Sequence, residues 1–278
     1  MKLKTRIAYA VFPPPVWDTL KQEWPMTTLR WKTALFRRRI ERRFRNSRQL
    51  KIHLGCGKRA TAGWVNVDCF RGPGIDLTRD LRRPLPFPDN SARLIYSEHV
   101  LEHLQMADAV RLLQECHRVL APEGILRIGV PDAEIYLRAY TSGDQAFFDE
   151  LKHLGGAVNP LRTPMEVINH MFRMGACHLF AWDWPTLQLA LTEAGFVSTR
   201  KGASGEASST EICLDDPAHA FETLYVEASK GSAQIEWFHK PGTTKSVRTA
   251  TPEPSPLATS KQPNDSQLDP AGAKAKSA

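Results

Sequence analysis

The chain has 278 residues and 42% hydrophobic composition, enough for one large core with extensions. Its net charge of +7 is unevenly placed: residues 29–48 hold nine Lys/Arg and one Glu, whereas residues 49–239 sum to −6. A mildly acidic body argues against nucleic acid as a partner, because phosphate binding needs a broad basic face. No apolar run approaches the roughly 18–20 residues of a membrane-spanning helix.

Residues 1–28 read as irregular, since Pro13-Pro14-Pro15 prevents a continuous helix. Residues 28–46 can form a helix with Leu29, Phe36, Ile40 and Phe44 on one side and arginines opposite. That stripe can pack on the body. The arginine face also admits peripheral contact with an anionic membrane through residues 28–46.

The expected body opens with strands at Lys51–Leu54 and Trp64–Val67, followed by a third at Leu94–Ser97. A helix is expected over Ala107–Leu120, with Ala109, Leu112, Leu113, Cys116 and Leu120 inward. Pro122-Glu123-Gly124 should end it before a strand at Ile125–Val130. Another amphipathic helix fits Pro185–Ala194, capped by Gly195. Strands at Phe196–Lys201 and Thr223–Ala228 should form an antiparallel pair at the sheet edge. Alternating strands and helices predict a parallel sheet with right-handed crossovers. The fold class is α/β: a Rossmann-like, doubly wound, mostly parallel sheet with an antiparallel edge strand. The domain reading is a basic extension at 1–47, the body at 48–239 and a disordered tail at 240–278, the last rich in Pro, Ser, Thr, Ala and Lys.

The five cysteines, Cys56, Cys69, Cys116, Cys177 and Cys213, are odd in number and contain no C-x-x-C pair. That favours a reduced, cytoplasmic setting, with the basic helix allowing a peripheral position at the inner membrane surface.

Leu50–Asp68 is the most informative stretch: strand, glycine turn, short loop, second strand and carboxylate. A glycine turn admits a ligand close to the backbone, and a carboxylate at the next strand tip can accept hydrogen bonds from a ribose. A dinucleotide fingerprint needs a full helix and an acidic residue about twenty positions on. Asp68 comes only eleven residues after Gly57. The ligand expected here is a nucleoside without a pyrophosphate.

Six motifs then occur in order: HLGCG (53–57), GWVNVD (63–68), DLRRPLPFPDNS (80–91), YSEHVLEHL (96–104), RVLAPEGILRIGVPD (118–132) and EAGF (193–196). Together residues 50–230 resemble the class I S-adenosylmethionine-dependent methyltransferases, in particular the type 11-like branch found among polysaccharide-biosynthesis proteins. The resemblance implies that Gly55, Cys56 and Gly57 line the methionyl part of S-adenosylmethionine. It implies that Asp68 takes the ribose hydroxyls, that Asp80 and Leu81 meet the adenine, and that Ser97, Glu98 and His99 stand beside the reactive methyl group. Arg93 and Glu123 depart from the branch pattern, at positions expected in turns entering strands.

Methyl transfer to a hydroxyl needs a base to remove its proton. His99, His178 and Asp132 are the leading candidates, with His170 and Glu98 behind them. His99 and His103 stand four residues apart, a metal-binding spacing, but H-E-x-x-H is missing and no metal is expected. Asn169–Trp184, with two histidines among aromatics, is a packing lid or the wall of the acceptor site. The expected function is O-methylation of a sugar, glycan precursor or other small molecule. The alternatives are a noncatalytic cofactor-binding scaffold and, disfavoured by the short Gly57-to-Asp68 interval, an oxidoreductase using a nicotinamide cofactor.

Overall fold

The computed structural model describes residues 27, 29, 31, 38–152, 161–231 and 238–239. The expectations for the irregular start, for Phe36 on the basic helix and for a disordered tail at 240–278 lie outside these residues.

Five strands lead the sheet: β1 (Leu50–Leu54), β2 (Val65–Asp68), β3 (Leu77–Thr78), β4 (Ala92–Glu98) and β5 (Leu120–Pro131). Late in the chain come β6 (Ser198–Gly202), β7 (Glu206–Ala207), β8 (Thr223–Ser229) and β9 (Phe238–His239). Seven of them form one sheet in the order β3-β2-β1-β4-β5-β8-β6, while β7 pairs with β9. β1 to β5 pair in parallel; β8 runs antiparallel to both β5 and β6. This is the expected mostly parallel sheet with an antiparallel pair at one edge. Strand order reverses between β1 and β4, so the ends of these two strands flank the crevice where open α/β sheets bind ligands.

The core follows from the strand sequences. Ile52, Leu54, Val67, Ile95, Leu126, Ile128 and Val130 are buried to 1% exposure or less, as strands covered on both faces require. Residues 38–44 are helical (α1) and turn Ile40 and Phe44 inward. The Phe44 and Phe87 rings meet edge to face at 4.8 Å. Arg38, Arg39, Arg42, Arg43 and Arg45 stay exposed. The apolar stripe therefore packs on the body, which leaves charge alone on the outer face. α2 (Met106–Val119) buries Ala109, Leu112, Leu113, Cys116 and Val119, the expected stripe with its last member moved by one residue. α6 (Trp184–Glu193) packs beside α2, starting from an Asp183 cap.

Two expectations are corrected. Pro122-Glu123-Gly124 is not a stop between helix and strand: α2 ends at Val119 and these residues lie inside β5. The β4 register passes from Ala92–Leu120 to Leu94–Ile125, so these residues bulge out of the ladder within β5. Gly124 is required there, since a Cβ would stand 2.7 Å from Leu120 Cδ2 and 3.1 Å from Ala92 O. Arg93 likewise sits inside β4, not in a turn, and is ion-paired with Glu211.

The sequence reading missed a helical layer between β5 and β6. It comprises α3 (Ala133–Ser142), α4 (Gln145–Leu151) and α5 (Pro164–Arg173), around a second apolar cluster of Tyr136, Ala139, Phe148, Leu151, Ile168 and Met171. Its local signals are plain in hindsight. Asp132 and Asp144 cap α3 and α4, and Thr163 with Glu166 forms a reciprocal capping box on α5.

Candidate active site

The turn after β1 is held by its neighbour strand. The amides of Gly55 and Cys56 both donate to Val67 O, at 2.8 and 3.3 Å. Gly55 and Gly57 have φ of +67° and +52°, a region that favours glycine. A Cβ on Gly55 would stand 2.2 Å from Val100 Cγ2, so bulk is excluded as well. Beside Gly57 no atom lies within 4 Å of where a Cβ would sit. That side of the turn is open.

Asp68 ends β2 with its carboxylate fixed by main chain. Oδ2 accepts from the Gly57 amide and Oδ1 from the Phe70 amide, both at 2.8 Å. One carboxylate thus ties the strand tip to the glycine turn while keeping lone pairs for a further donor. Asp80 is buried and accepts from the Arg82 amide and Nε at 3.0 Å, with Leu81 buried beside it. Ser97, near the end of β4, is buried and its Oγ has no hydrogen-bond partner. The Glu98 carboxylate is heavily engaged. It pairs with Arg59, accepts from Tyr225 OH at 2.5 Å, and accepts from the Asp216 amide at 3.1 Å.

His99 follows β4 in the left-handed region, at φ +53°. A non-glycine residue there is strained and is held by its surroundings. Its amide donates to Gly129 O at 2.9 Å. Nδ1 lies 3.1 Å from Glu102 Oε1 and Nε2 lies 3.1 Å from Thr223 Oγ1. Burial opposes the imidazolium, but the Glu102 carboxylate outweighs it, helped by Glu98 and Glu222, so the His99 pKa is raised. The His219 ring is 4.8 Å from the His99 ring, and His219 Nδ1 is 2.5 Å from Glu222 Oε1. Glu222 also takes the Tyr136 hydroxyl.

His178 is buried. Its Nδ1 donates to Met171 O, and its ring meets that of His103 edge to face at 4.8 Å. Burial lowers its pKa. Asp132 is buried as the cap of α3, accepting from the Glu134 amide at 3.1 Å, with Lys201 Nζ 3.7 Å away. Burial raises its pKa against the pull of Lys201. His170 lies on α5 near its C-terminus. The segment Asn169–Trp184 is thus no single lid: it contains the end of α5, a short turn and the start of α6.

The cysteines are all free thiols. Burial and the Asp68 charge push the Cys56 thiol up to about 11 and the Cys69 thiol up to about 12, so neither is a nucleophile at neutral pH. Cys177 is exposed, and its carbonyl accepts from His103 Nδ1 at 3.1 Å. A cleft of about 510 Å³ lies away from these groups, lined by Ile40, Arg45, Leu85, Phe87 and Arg118 among others. It contains none of the expected site residues.

Residues 77–128, from β3 into β5, match the methyltransferase domain family of type 11. Over that stretch the chain is similar to the family. Solved structures with a similar chain course include S-adenosylmethionine-dependent methyltransferases from Thermotoga maritima and Mesorhizobium loti. The first shows 14% identity and a TM-score of 0.42 over 77% of this chain and 98% of that one. The second shows 17% and 0.37 over 66% and 91%. The citrinin polyketide synthase CMeT domain aligns at 11% identity and TM-score 0.39, over 66% of this chain and 47% of that one. No curated protein matches the sequence. The similarity rests on the family match over residues 77–128 and on the strand order.

The family similarity implies S-adenosylmethionine as the cofactor, and the residue types at the strand ends fit that group. Gly57 is open on one side, Asp68 is bonded to its amide, and Ser97 near the end of β4 has an orphaned hydroxyl. Gly55, Cys56, Gly57, Asp68, Ser97 and His99 all sit at the carboxyl ends of β1, β2 and β4, whereas Asp80 and Leu81 follow β3. A ring nitrogen of His178 lies within 4.8 Å of a Glu102 carboxylate oxygen. Sequence reasoning missed Arg59, Glu102, His219, Glu222 and Thr223. Glu102 alone carried a signal, because it lies three residues after His99 on a motif already singled out.

Proposed function

We propose that this methyltransferase domain transfers a methyl group from S-adenosylmethionine to a hydroxyl of a small-molecule or glycan acceptor, with His99 as the base. The supporting observation is the Glu102–His99–Thr223 line at the end of β4. The ring nitrogen facing the Glu102 carboxylate is the donor, so Nε2 carries the lone pair and takes the Thr223 hydroxyl. An acceptor hydroxyl that displaces Thr223 meets that lone pair. Glu102 holds the tautomer and stabilises the imidazolium formed when the proton arrives.

When bound, S-adenosylmethionine supplies an electrophilic methyl group on a sulfonium. The chain's contribution is alignment: Gly55 and Gly57 let the backbone approach, Asp68 fixes the ribose, and His99 receives the acceptor proton as the new O–CH3 bond forms. Asp132 and His178 stand behind His99 as second choices, and Glu98 acts as an anchor for Arg59 and Tyr225. Asp80 and Leu81 hold the adenine end. A polysaccharide-pathway acceptor, and an electrostatic approach of the arginine face of residues 28–46 to an anionic inner membrane surface, belong to the same reading. Among the described residues no helix is long and apolar enough to cross a membrane.

The test is methyl-label transfer from S-adenosylmethionine into small-molecule and glycan fractions of a cell extract, with product masses identifying the acceptor. His99→Ala should lower turnover by roughly 10²–10⁴-fold while S-adenosylmethionine binding by calorimetry stays intact. Turnover within about threefold of the parent would remove His99 from this role.

A further inference from the structure

The Glu102 carboxylate has two ends. Oε1 faces His99, but Oε2 is buried without a hydrogen-bond partner. The Glu102 side chain is only 3% exposed, and an unpaired buried carboxylate oxygen is costly. His103 and His178 stand beside this carboxylate. One nitrogen from each ring and one Glu102 oxygen lie within 4.8 Å of one another.

The two rings share a telling arrangement. His103 Nδ1 faces Cys177 O and His178 Nδ1 faces Met171 O. A carbonyl only accepts, so both Nδ1 atoms carry the proton and both Nε2 atoms keep a lone pair. Anchoring one ring nitrogen on a backbone carbonyl while the other faces the site is how metal-binding histidines are oriented. The neighbouring group of His99, His219 and Glu222 differs. Both His99 nitrogens, His219 Nδ1 and both Glu222 oxygens already have partners there.

We propose that Glu102, His103 and His178 bind a divalent cation of the zinc class, contrary to the sequence expectation of no metal. Two imidazoles and one carboxylate are a donor set suited to Zn²⁺, and three protein ligands leave one tetrahedral position open. His103 is exposed, so that position faces solvent. The ion would satisfy Glu102 Oε2 and pin the turn at 174–178 to the residues just after β4. It would also fix the carboxylate whose other oxygen orients His99.

The test uses the tag-free full chain, stripped with a chelator and titrated with Zn²⁺ against a chromophoric competitor. We expect one tight zinc ion and a higher unfolding temperature with zinc. His103→Ala, at an exposed position that should leave circular dichroism unchanged, should weaken zinc binding by about 100-fold or more and abolish the thermal shift. Glu102→Gln should do the same, while His219→Ala should keep both. Absence of tight zinc binding, binding that survives His103→Ala, or binding lost with His219→Ala instead would overturn the proposal. None of these readouts depends on methyl transfer, so the result stands apart from the fate of His99 as a base.

Discussion

The two sides of the crevice at the strand ends are built differently. On the cofactor side the decisive bonds are local: Gly57 to Asp68 spans eleven residues, and Asp68 to Phe70 and Asp80 to Arg82 span two. On the side proposed for the acceptor they are long-range: His99 to Thr223 spans 124 residues, Glu98 to Tyr225 spans 127, and Tyr136 to Glu222 spans 86. A local cradle can be specified by a short motif. A stitched wall needs the whole sheet to be in register first, and β8 supplies that register by pairing with both β5 and β6. The long-range side is also anchored by buried charge. Arg127 on β5 is fully buried, gripping Asp215 through Nε at 2.8 Å and Nη2 at 2.5 Å, and Glu227 at 3.2 Å.

The comparison breaks most sharply at Arg127. Arg127→Leu strands two buried carboxylates and should cost about 3–5 kcal/mol in urea unfolding. Neutralising both with Asp215→Asn and Glu227→Gln in the same chain should recover part of that loss. A cost under about 1 kcal/mol for Arg127→Leu alone would show that the late wall does not depend on this cluster.

Acid should strike next, through His53 of β1. Burial against Trp64 and Tyr96, reinforced by Arg59 and opposed by Asp68, pushes its pKa down to about 4 from 6.5. The unfolded chain therefore binds the proton first. The stability is fully present above pH 6.5 and is lost as pH falls towards 4, amounting to about 3 kcal/mol at the lower end. Denaturation midpoints followed between these values should flatten in His53→Gln relative to the parent.

Gly55→Ala strains the turn at positive φ and drives a Cβ into Val100. About 1–3 kcal/mol of stability should go with it, and Val100→Ala should restore only the part due to contact. The smallest effect belongs to Asp68→Asn. Its amide group must face one of two backbone donors, so S-adenosylmethionine affinity should fall about tenfold, or about 1.4 kcal/mol, in calorimetry. An unchanged affinity would move the ribose contact elsewhere.

Legibility in the sequence follows the same divide. The glycine turn, β1, β2, β4 and α2 were readable because each is encoded by contiguous periodicity or by glycine at a required φ. Asp68 was readable because its partner Gly57 is nearby. Glu222 and Thr223 were not, since nothing near them in sequence announces His99. The helical layer from Ala133 to Arg173 was not legible although its caps are ordinary, because its helices of 10, 7 and 10 residues are too short for a clear apolar period. Pro122-Glu123-Gly124 misled in the other direction: the turn signature lies as a bulge inside β5, between Leu120 and Ile125, which do pair with β4.

Cys177 gives this divided architecture a practical handle. It is exposed, whereas Cys56, Cys116 and Cys213 are buried and Cys69 is partly covered with its thiol pushed up. A maleimide dye should therefore modify this position first in the folded protein. Since the Cys177 carbonyl holds His103, such a dye would sit one residue from His178 and four residues past the end of α5. Its emission would report occupancy of that corner in real time, independently of any assay for product.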